Sequence, residues 1–173
     1  MLKLTLTPLS AIALQIPGTD RWYANPTDPA LSVMTDFRER SSVTVSEMIT
    51  IDAALEHMKH TGVRCAFAID EAQRQVVGLI TAYDIMGEKP MRHMRLTSTH
   101  RSQVLVKDLM LRLPEWQVAH VKQVEHHTVA AVAHLFDETL LTHIIVVETD
   151  DHDGSQRLRG ILSAAKVRRL LAR

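Results

Sequence analysis

The sequence predicts an α+β fold made of two copies of one strand-helix-strand-strand-helix unit packed face to face, and three observations predict it. A helical pattern opened by Thr50-Ile51, with Ala54, Leu55 and Met58 on one face, returns 78 residues later as Thr128-Val129 with Val132, Ala133 and Phe136. At the same offset a strand-like run follows each helix, Val63 to Ile69 and then Leu141 to Val147. A second strand closes each unit on glycine, two residues and a hydroxyl: Gly78-Leu79-Ile80-Thr81 and Gly160-Ile161-Leu162-Ser163. Here the offset is 82, because the second turn, through Asp150-Asp151-His152-Asp153-Gly154-Ser155, is four residues longer. An insertion confined to a turn is what a structural repeat tolerates.

The elements divide the chain into an amino-terminal segment (1–29), a first repeat (30–89), a linker (90–101) and a second repeat (102–173). Asp28-Pro29-Ala30 predicts a helix start, with an N-cap and proline in the first turn, leading into Leu31-Ser32-Val33-Met34. Gly62 ends the helix opened by Thr50, where a left-handed cap is wanted. Val76-Val77-Gly78-Leu79-Ile80 is short and uniformly apolar, as a strand buried on both faces would be. The stretch from Pro90 to Arg101 is polar and basic and reads as the linker. Val106-Lys107-Asp108-Leu109-Met110 is the counterpart, ahead of the second copy, of the helix start at Asp28. One unit is too small to cover its own apolar strands, so the copies are expected to pack on each other.

Composition narrows the function. At 173 residues and 46% hydrophobic, the chain can bury a real core. Lys plus Arg balances Asp plus Glu at 20 each, so no net field draws it to nucleic acid or an anionic membrane. The single Cys65 excludes an intramolecular disulfide framework and fits a reducing compartment. Met1 to Ile16 shows no apolar region followed by a cleavage site, and no run approaches the roughly 20 apolar residues of a membrane span. The expectation is a soluble, cytoplasmic protein.

The chemistry concentrates at the strand-to-helix turn Gly78-Leu79-Ile80-Thr81-Ala82-Tyr83-Asp84. It puts a hydroxyl at the cap and a carboxylate three residues on. On one reading Thr81 and Asp84 form a capping box that satisfies free backbone N–H groups. On the other this end binds a nucleotide: the helix terminus favours phosphate, Thr81 donates to a phosphate oxygen, and Asp84 accepts from both hydroxyls of a ribose. The repeat context favours the second reading.

With Gly78-x-x-Thr81-x-x-Asp84, the preceding strand ending in Asp70, and the helix opened by Thr50, the unit resembles the cystathionine-β-synthase (CBS) domain, in the tandem pair usual for that family. The second copy matches at Thr128, at Leu141 to Glu148 and at Gly160-x-x-Ser163, and the resemblance spans about residues 30–172. Phe67 and Ile145 stand where the family often has proline, and Lys166 stands in place of the ribose-binding aspartate. The resemblance implies two β-α-β-β-α repeats related by a pseudo-twofold axis, forming a regulatory, non-catalytic module. It implies binding of AMP, ADP, ATP or S-adenosylmethionine between the repeats, and association of two pairs into a homodimer. Thr81 would meet phosphate and Asp84 the ribose, with Leu79, Tyr83 and Arg64 lining the cleft; Leu141, Thr142 and His143 would approach across the dyad. Ser163 and Lys166 mark a second cleft, either empty or holding an anion.

Other features carry less. His120, His126, His127 and His134 lie near Glu125, but no familiar ligand spacing is present, and no metal site is expected. Cys65 reads as a small packed thiol and His143 as a satisfied histidine at the core edge. Trp22 and Tyr23 read as an anchor for the amino-terminal segment. Two functional classes remain: a ligand-sensing module acting on a separate, unidentified protein, and a ligand-independent dimerisation or scaffold module with a vestigial cleft. No nucleophile-base pair is legible, so an enzyme is not expected.

Overall fold

The computed structural model describes residues 23–150 and 152–172. In chain order the elements are β1 (Thr35–Asp36), β2 (Thr44–Ser46), α1 (Ile51–Thr61), β3 (Cys65–Asp70), β4 (Gln75–Thr81), α2 (Ala82–Met86) and α3 (Lys89–Thr97). They continue as α4 (Val106–Leu109), β5 (Leu111–Arg112), β6 (Val118–His120), α5 (Val121–Val124), α6 (Val129–Glu138), β7 (His143–Thr149), β8 (Gln156–Ser163) and α7 (Ala164–Leu171). A 3-10 turn, Ala30–Val33, precedes β1.

The duplicated pattern yields duplicated local structure. Thr50 and Thr128 cap α1 and α6, each hydroxyl accepting from a backbone N–H three residues on, at 3.3 Å. Gly62 takes the left-handed conformation, φ 71°, and its N–H closes α1 on Lys59. The hairpins β3–β4 and β7–β8 are antiparallel, and each shifts register at the same place, after Ala68 and after Val146. β2 joins β3, and β6 joins β7, in parallel.

The edge strands cross between the halves. The two sheets run β2-β3-β4-β5 and β1-β8-β7-β6, so β5, which falls within 102–173, completes the first sheet, and β1, which falls within 30–89, completes the second. The cores follow the same exchange. Val104, Val106 and Leu109 pack with Ile51, Met58, Ile80 and Ile85 of the first repeat. Ala24, Ala30, Val33 and Met34 pack with Val129, Phe136, Leu162 and Val167 of the second. The helical turns expected ahead of each repeat are present, but each buries its apolar residues in the other repeat's core.

The crossing explains both motif glycines. A Cβ on Gly78 would lie 2.6 Å from Met110 Sδ and 2.9 Å from the Leu111 carbonyl oxygen; one on Gly160 would lie 2.6 Å from the Thr35 carbonyl oxygen. A crossing strand lies over each glycine too closely for a side chain.

A third cluster joins the sheets: Phe67, Leu79, Ile145 and Val147 are buried together, with Phe37 and Trp116 packed against them. β4 is thus covered on both sides, with Ile80 facing the first core and Leu79 the second sheet. Phe67 sits at the junction, its ring 5.6 Å from that of Phe37 and 5.9 Å from that of Trp116. The departure from proline at this position supplies the hub on which both crossing segments end.

Three segments carry more structure than their sequence suggested. Residues 90–101, read as a linker, are largely helix: Pro90 falls in the first turn of α3, where its missing N–H is harmless, and Met, Arg and Leu carry the helix onward. The apolar faces of α1 and α6 go largely into the two cores, since Ile51, Ala54 and Met58, and Val129, Val132 and Phe136, are buried, while Leu135 of α6 stays exposed. Trp22 lies outside the described residues, while Tyr23 is exposed; the fixed point of this segment is buried Ala24, whose N–H donates to the Leu170 carbonyl at 2.8 Å.

Candidate functional site

The turn between β4 and α2 is built by its own side chains. The Thr81 backbone N–H donates to Asp84 Oδ2 at 2.8 Å, the Thr81 hydroxyl donates to the same oxygen at 2.6 Å, and the Asp84 N–H donates to Thr81 Oγ1 at 3.1 Å. This is the reciprocal capping box of the first reading. It also fixes the carboxylate rigidly, with Oδ2 committed to the cap and Oδ1 turned outward. Gly87 ends α2 by donating its N–H to the Tyr83 carbonyl at 2.9 Å.

The outward oxygen is already met by a cation that the sequence reading did not name. Lys89 Nζ lies 2.6 Å from Asp84 Oδ1, with the lysine side chain half exposed and the aspartate 17% exposed. Local spacing gives little signal for this pair. Gly87 interrupts the helix between α2 and α3, so the geometry of the break, not helical periodicity, brings the two together.

The other residues of the first cleft take these positions. Leu79 is buried in the cluster between the sheets. Arg64 and Tyr83 are exposed, and Arg64 Nη1 donates to the Tyr83 hydroxyl at 3.3 Å. Leu141 is exposed before β7, and Thr142 and His143 are half-buried. The backbone at the two positions is used alike: the Arg64 carbonyl accepts from Ala82 N–H at 2.8 Å, and the Thr142 carbonyl accepts from Ala164 N–H at 3.0 Å.

His143 links the halves electrostatically. Burial pushes its pKa down to about 4, while the charge of Asp84 opposes this and that of Arg64 adds to it. Both charges belong to the first repeat and His143 to the second. Its Nδ1 lies 3.0 Å from the Thr142 hydroxyl. The imidazole is therefore neutral at physiological pH and able to exchange hydrogen bonds with an uncharged heterocycle. Its counterpart in the first repeat is Cys65, a partly buried thiol that burial pushes up to about 11.

Ser163 and Lys166 are arranged differently. Ser163 occupies the N-cap position of α7 but makes no side-chain cap bond. Lys166 neither extends into water nor joins Ser163: its ammonium donates to the Met34 carbonyl and to the Thr35 hydroxyl, both at 3.3 Å. The lysine thus ties α7 to the crossing segment. Nearby, Arg159 pairs with Asp36 and, at 3.5 Å, with Glu148, which also pairs with Arg38. Burial would raise the Asp36 pKa, but the Arg38 N–H and the Arg159 guanidinium together hold it below the usual carboxylate range.

Among the described residues no group of three or more His, Cys, Asp and Glu is arranged to hold a metal ion. No helix among them is long and apolar enough to cross a membrane.

Residues 23–90 match the family model described as CBS domain. No curated protein matches the chain in sequence. Among solved structures, the chain is similar to the CBS-pair protein CBSX2 from Arabidopsis thaliana in complex with AMP, at 25% identity over 82% of this chain and 94% of that one, with a TM-score of 0.53. It is also similar to the CBS-domain containing protein ATU1752 from Agrobacterium tumefaciens, at 18% identity over 91% and 98% of the two chains, with a TM-score of 0.55. The CBS domain pair of protein MJ0100, in complex with 5'-methylthioadenosine and S-adenosyl-L-methionine, shares 19% identity over 84% and 96%, with a TM-score of 0.51.

Proposed function

We propose that this chain, which carries a CBS domain over residues 23–90 and folds as a CBS-domain pair, is a regulatory module. In this proposal it binds an adenosyl nucleotide at the Thr81/Asp84 cleft and alters the behaviour of a separate protein. The observation that carries the reading is the outward Oδ1 of Asp84, fixed by the cap and electrostatically coupled to His143 of the other repeat. A ligand there would touch both halves, so its binding energy can change how they pack. Asp84 would accept from the ribose hydroxyls, Arg64 would face phosphate, Tyr83 would supply aromatic surface, and Leu141, Thr142 and His143 would meet the base, while Thr81, whose hydroxyl proton goes to Asp84, and the buried Leu79 would support the turn behind the ligand. The AMP held by CBSX2 makes AMP the first ligand to test. S-adenosylmethionine, ADP and ATP follow.

Titration calorimetry with AMP on the parent and on Asp84→Ala tests the reading. Losing a charge-assisted acceptor should weaken binding by about tenfold or more, since such bonds contribute roughly 1.5–3 kcal/mol. Equal affinity in the variant would remove the ligand from this cleft.

A second reading is favoured by one observation: both oxygens of Asp84 are already bonded within the chain. In that reading the turn only caps α2 and the molecule serves as a dimerisation or scaffold module. Both readings include a homodimer, for which the exposed Met86, Met91 and Leu96 around α3, beside a groove lined by Arg92 and Arg95, offer an apolar face. Light scattering with and without AMP separates the two readings. A scaffold gives the same dimer in both conditions and no calorimetric heat, and a 19.5 kDa monomer counts against the dimer.

A further inference from the structure

We infer that Lys89 is the residue by which the cleft distinguishes phosphorylated from unphosphorylated adenosyl compounds, acting as an exchangeable counter-ion of Asp84. The inference rests on the reading of this cleft as an adenosyl site and names how that site selects its ligand.

The two oxygens of Asp84 are unequal. Oδ2 accepts from the Thr81 N–H and hydroxyl, and removing it would open the cap of α2. Among the described residues Oδ1 meets Lys89 Nζ, at 2.6 Å. It is therefore the oxygen that an incoming hydroxyl can take, and Lys89 already occupies it. A neutral nucleoside whose ribose diol takes both lone pairs of Oδ1 displaces the ammonium and offers no anion in return. A nucleotide brings a phosphate that can replace the lost carboxylate contact.

The lysine suits this exchange. Its side chain is half exposed, so the ion pair is weakly held, and its flexible stem lets the ammonium swing from one anion to another. It stands at the start of α3 after the Gly87 break, outside the capping box, so it can move without disturbing Thr81 or Asp84. The charges facing the cleft agree. Arg64 and Lys89 are cations, Asp84 is the anion and His143 is neutral, so the set gains from an added negative charge. Arg64 already contacts the Tyr83 hydroxyl, whereas Lys89 is the cation that ribose binding would release.

The experiment measures adenosine and AMP affinities by calorimetry on the parent, Lys89→Met and Lys89→Arg. Methionine keeps an unbranched stem and removes the charge. The parent should prefer AMP. In Lys89→Met adenosine should bind about threefold more tightly, because Oδ1 is unmasked, and AMP should bind more weakly, so that the AMP-to-adenosine ratio falls about tenfold; Lys89→Arg should keep most of the parent's ratio. A ratio unchanged in Lys89→Met overturns the inference. Asp84→Ala separates the two levels: AMP binding lost in Asp84→Ala with an unchanged ratio in Lys89→Met sinks the role of Lys89 alone. AMP binding that Asp84→Ala leaves intact, or neither compound binding the parent, sinks the cleft reading and this inference with it.

Discussion

The two strand-to-helix turns have the same backbone scaffold and opposite electrostatics. In the first, a carboxylate three residues beyond the cap closes a capping box, and a lysine from the next helix rests on its outer oxygen. In the second, the residue three beyond the cap is Lys166, Ser163 makes no cap bond, and the ammonium turns to Met34 and Thr35 of the crossing segment. A lysine in the first turn of a helix opposes the dipole by roughly 0.3–1 kcal/mol at an exposed site. Here the two hydrogen bonds that the ammonium donates offset that cost. One turn thus presents an acceptor toward the cleft, while the other uses its charged side chain to hold the fold together. A repeat can keep its backbone while one copy turns a carboxylate outward and the other uses a lysine as a structural tie.

The largest effect expected from breaking this asymmetry lies in the ion cluster of the second repeat. Arg159→Leu would leave Asp36 and Glu148 partly buried without their shared cation, which should destabilise the fold by roughly 2 kcal/mol, less than for a fully buried pair. The first repeat has Val77 at the corresponding position and no such dependence. An unchanged denaturation midpoint in Arg159→Leu would show the cluster to be incidental.

The next effect compares the two crossings. Gly160→Ala and Gly78→Ala should each cost roughly 1–1.5 kcal/mol, the low end of overpacking because one methyl is added, lowering the melting temperature by several degrees. Gly160 should be the more sensitive, because its nearest obstacle is a backbone carbonyl at 2.6 Å, whereas at Gly78 it is the sulfur of a flexible methionine. The reverse order in thermal melts would mean that the Thr35 strand yields more readily than the Leu111 strand.

A third effect shows only as acid is added and concerns the equivalent positions 143 and 65. His143 has a folded pKa of about 4 against an ordinary 6.5, so between these values the unfolded chain binds more protons than the native one. Its contribution is complete above about 6.5 and is lost as pH falls toward 4, with a slope of at most about 1.4 kcal/mol per pH unit. Cys65, pushed up to about 11, does not titrate in that window. Stability measured from pH 7 to 4 should therefore fall less steeply in His143→Asn than in the parent. Parallel curves would place the acid sensitivity elsewhere.

Several features were legible because they depend on neighbours in the chain. The helix caps at Thr50, Thr128 and Gly62 follow from local hydrogen-bonding chemistry, and the faces of α1 and α6 follow from a period of 3.6 residues. The Thr81–Asp84 capping box was equally visible at its three-residue spacing. Helix α3 was missed because its charged surface made residues 90–101 look like a linker, although Pro90 in the first turn is itself a helix-start signal. Lys89 was missed because its partner lies across the helix break at Gly87, where no periodicity applies.

The sequence alone determined that there are two like units, where their strands and helices run, and which turn carries a hydroxyl and a carboxylate. Those properties are set by side-chain alternation and backbone chemistry over a few residues. Only the tertiary structure decided which sheet each edge strand joins, and with it the reason for Gly78 and Gly160, the partners of Lys166, and the approach of Asp84 and Arg64 to His143. The physical reason is the duplication itself. Both sheets offer an edge of the same shape beside a glycine, so local pattern does not say whether β1 pairs with β4 or with β8, and the choice falls to packing between residues more than a hundred positions apart, such as Lys166 on Met34 and Arg159 on Asp36.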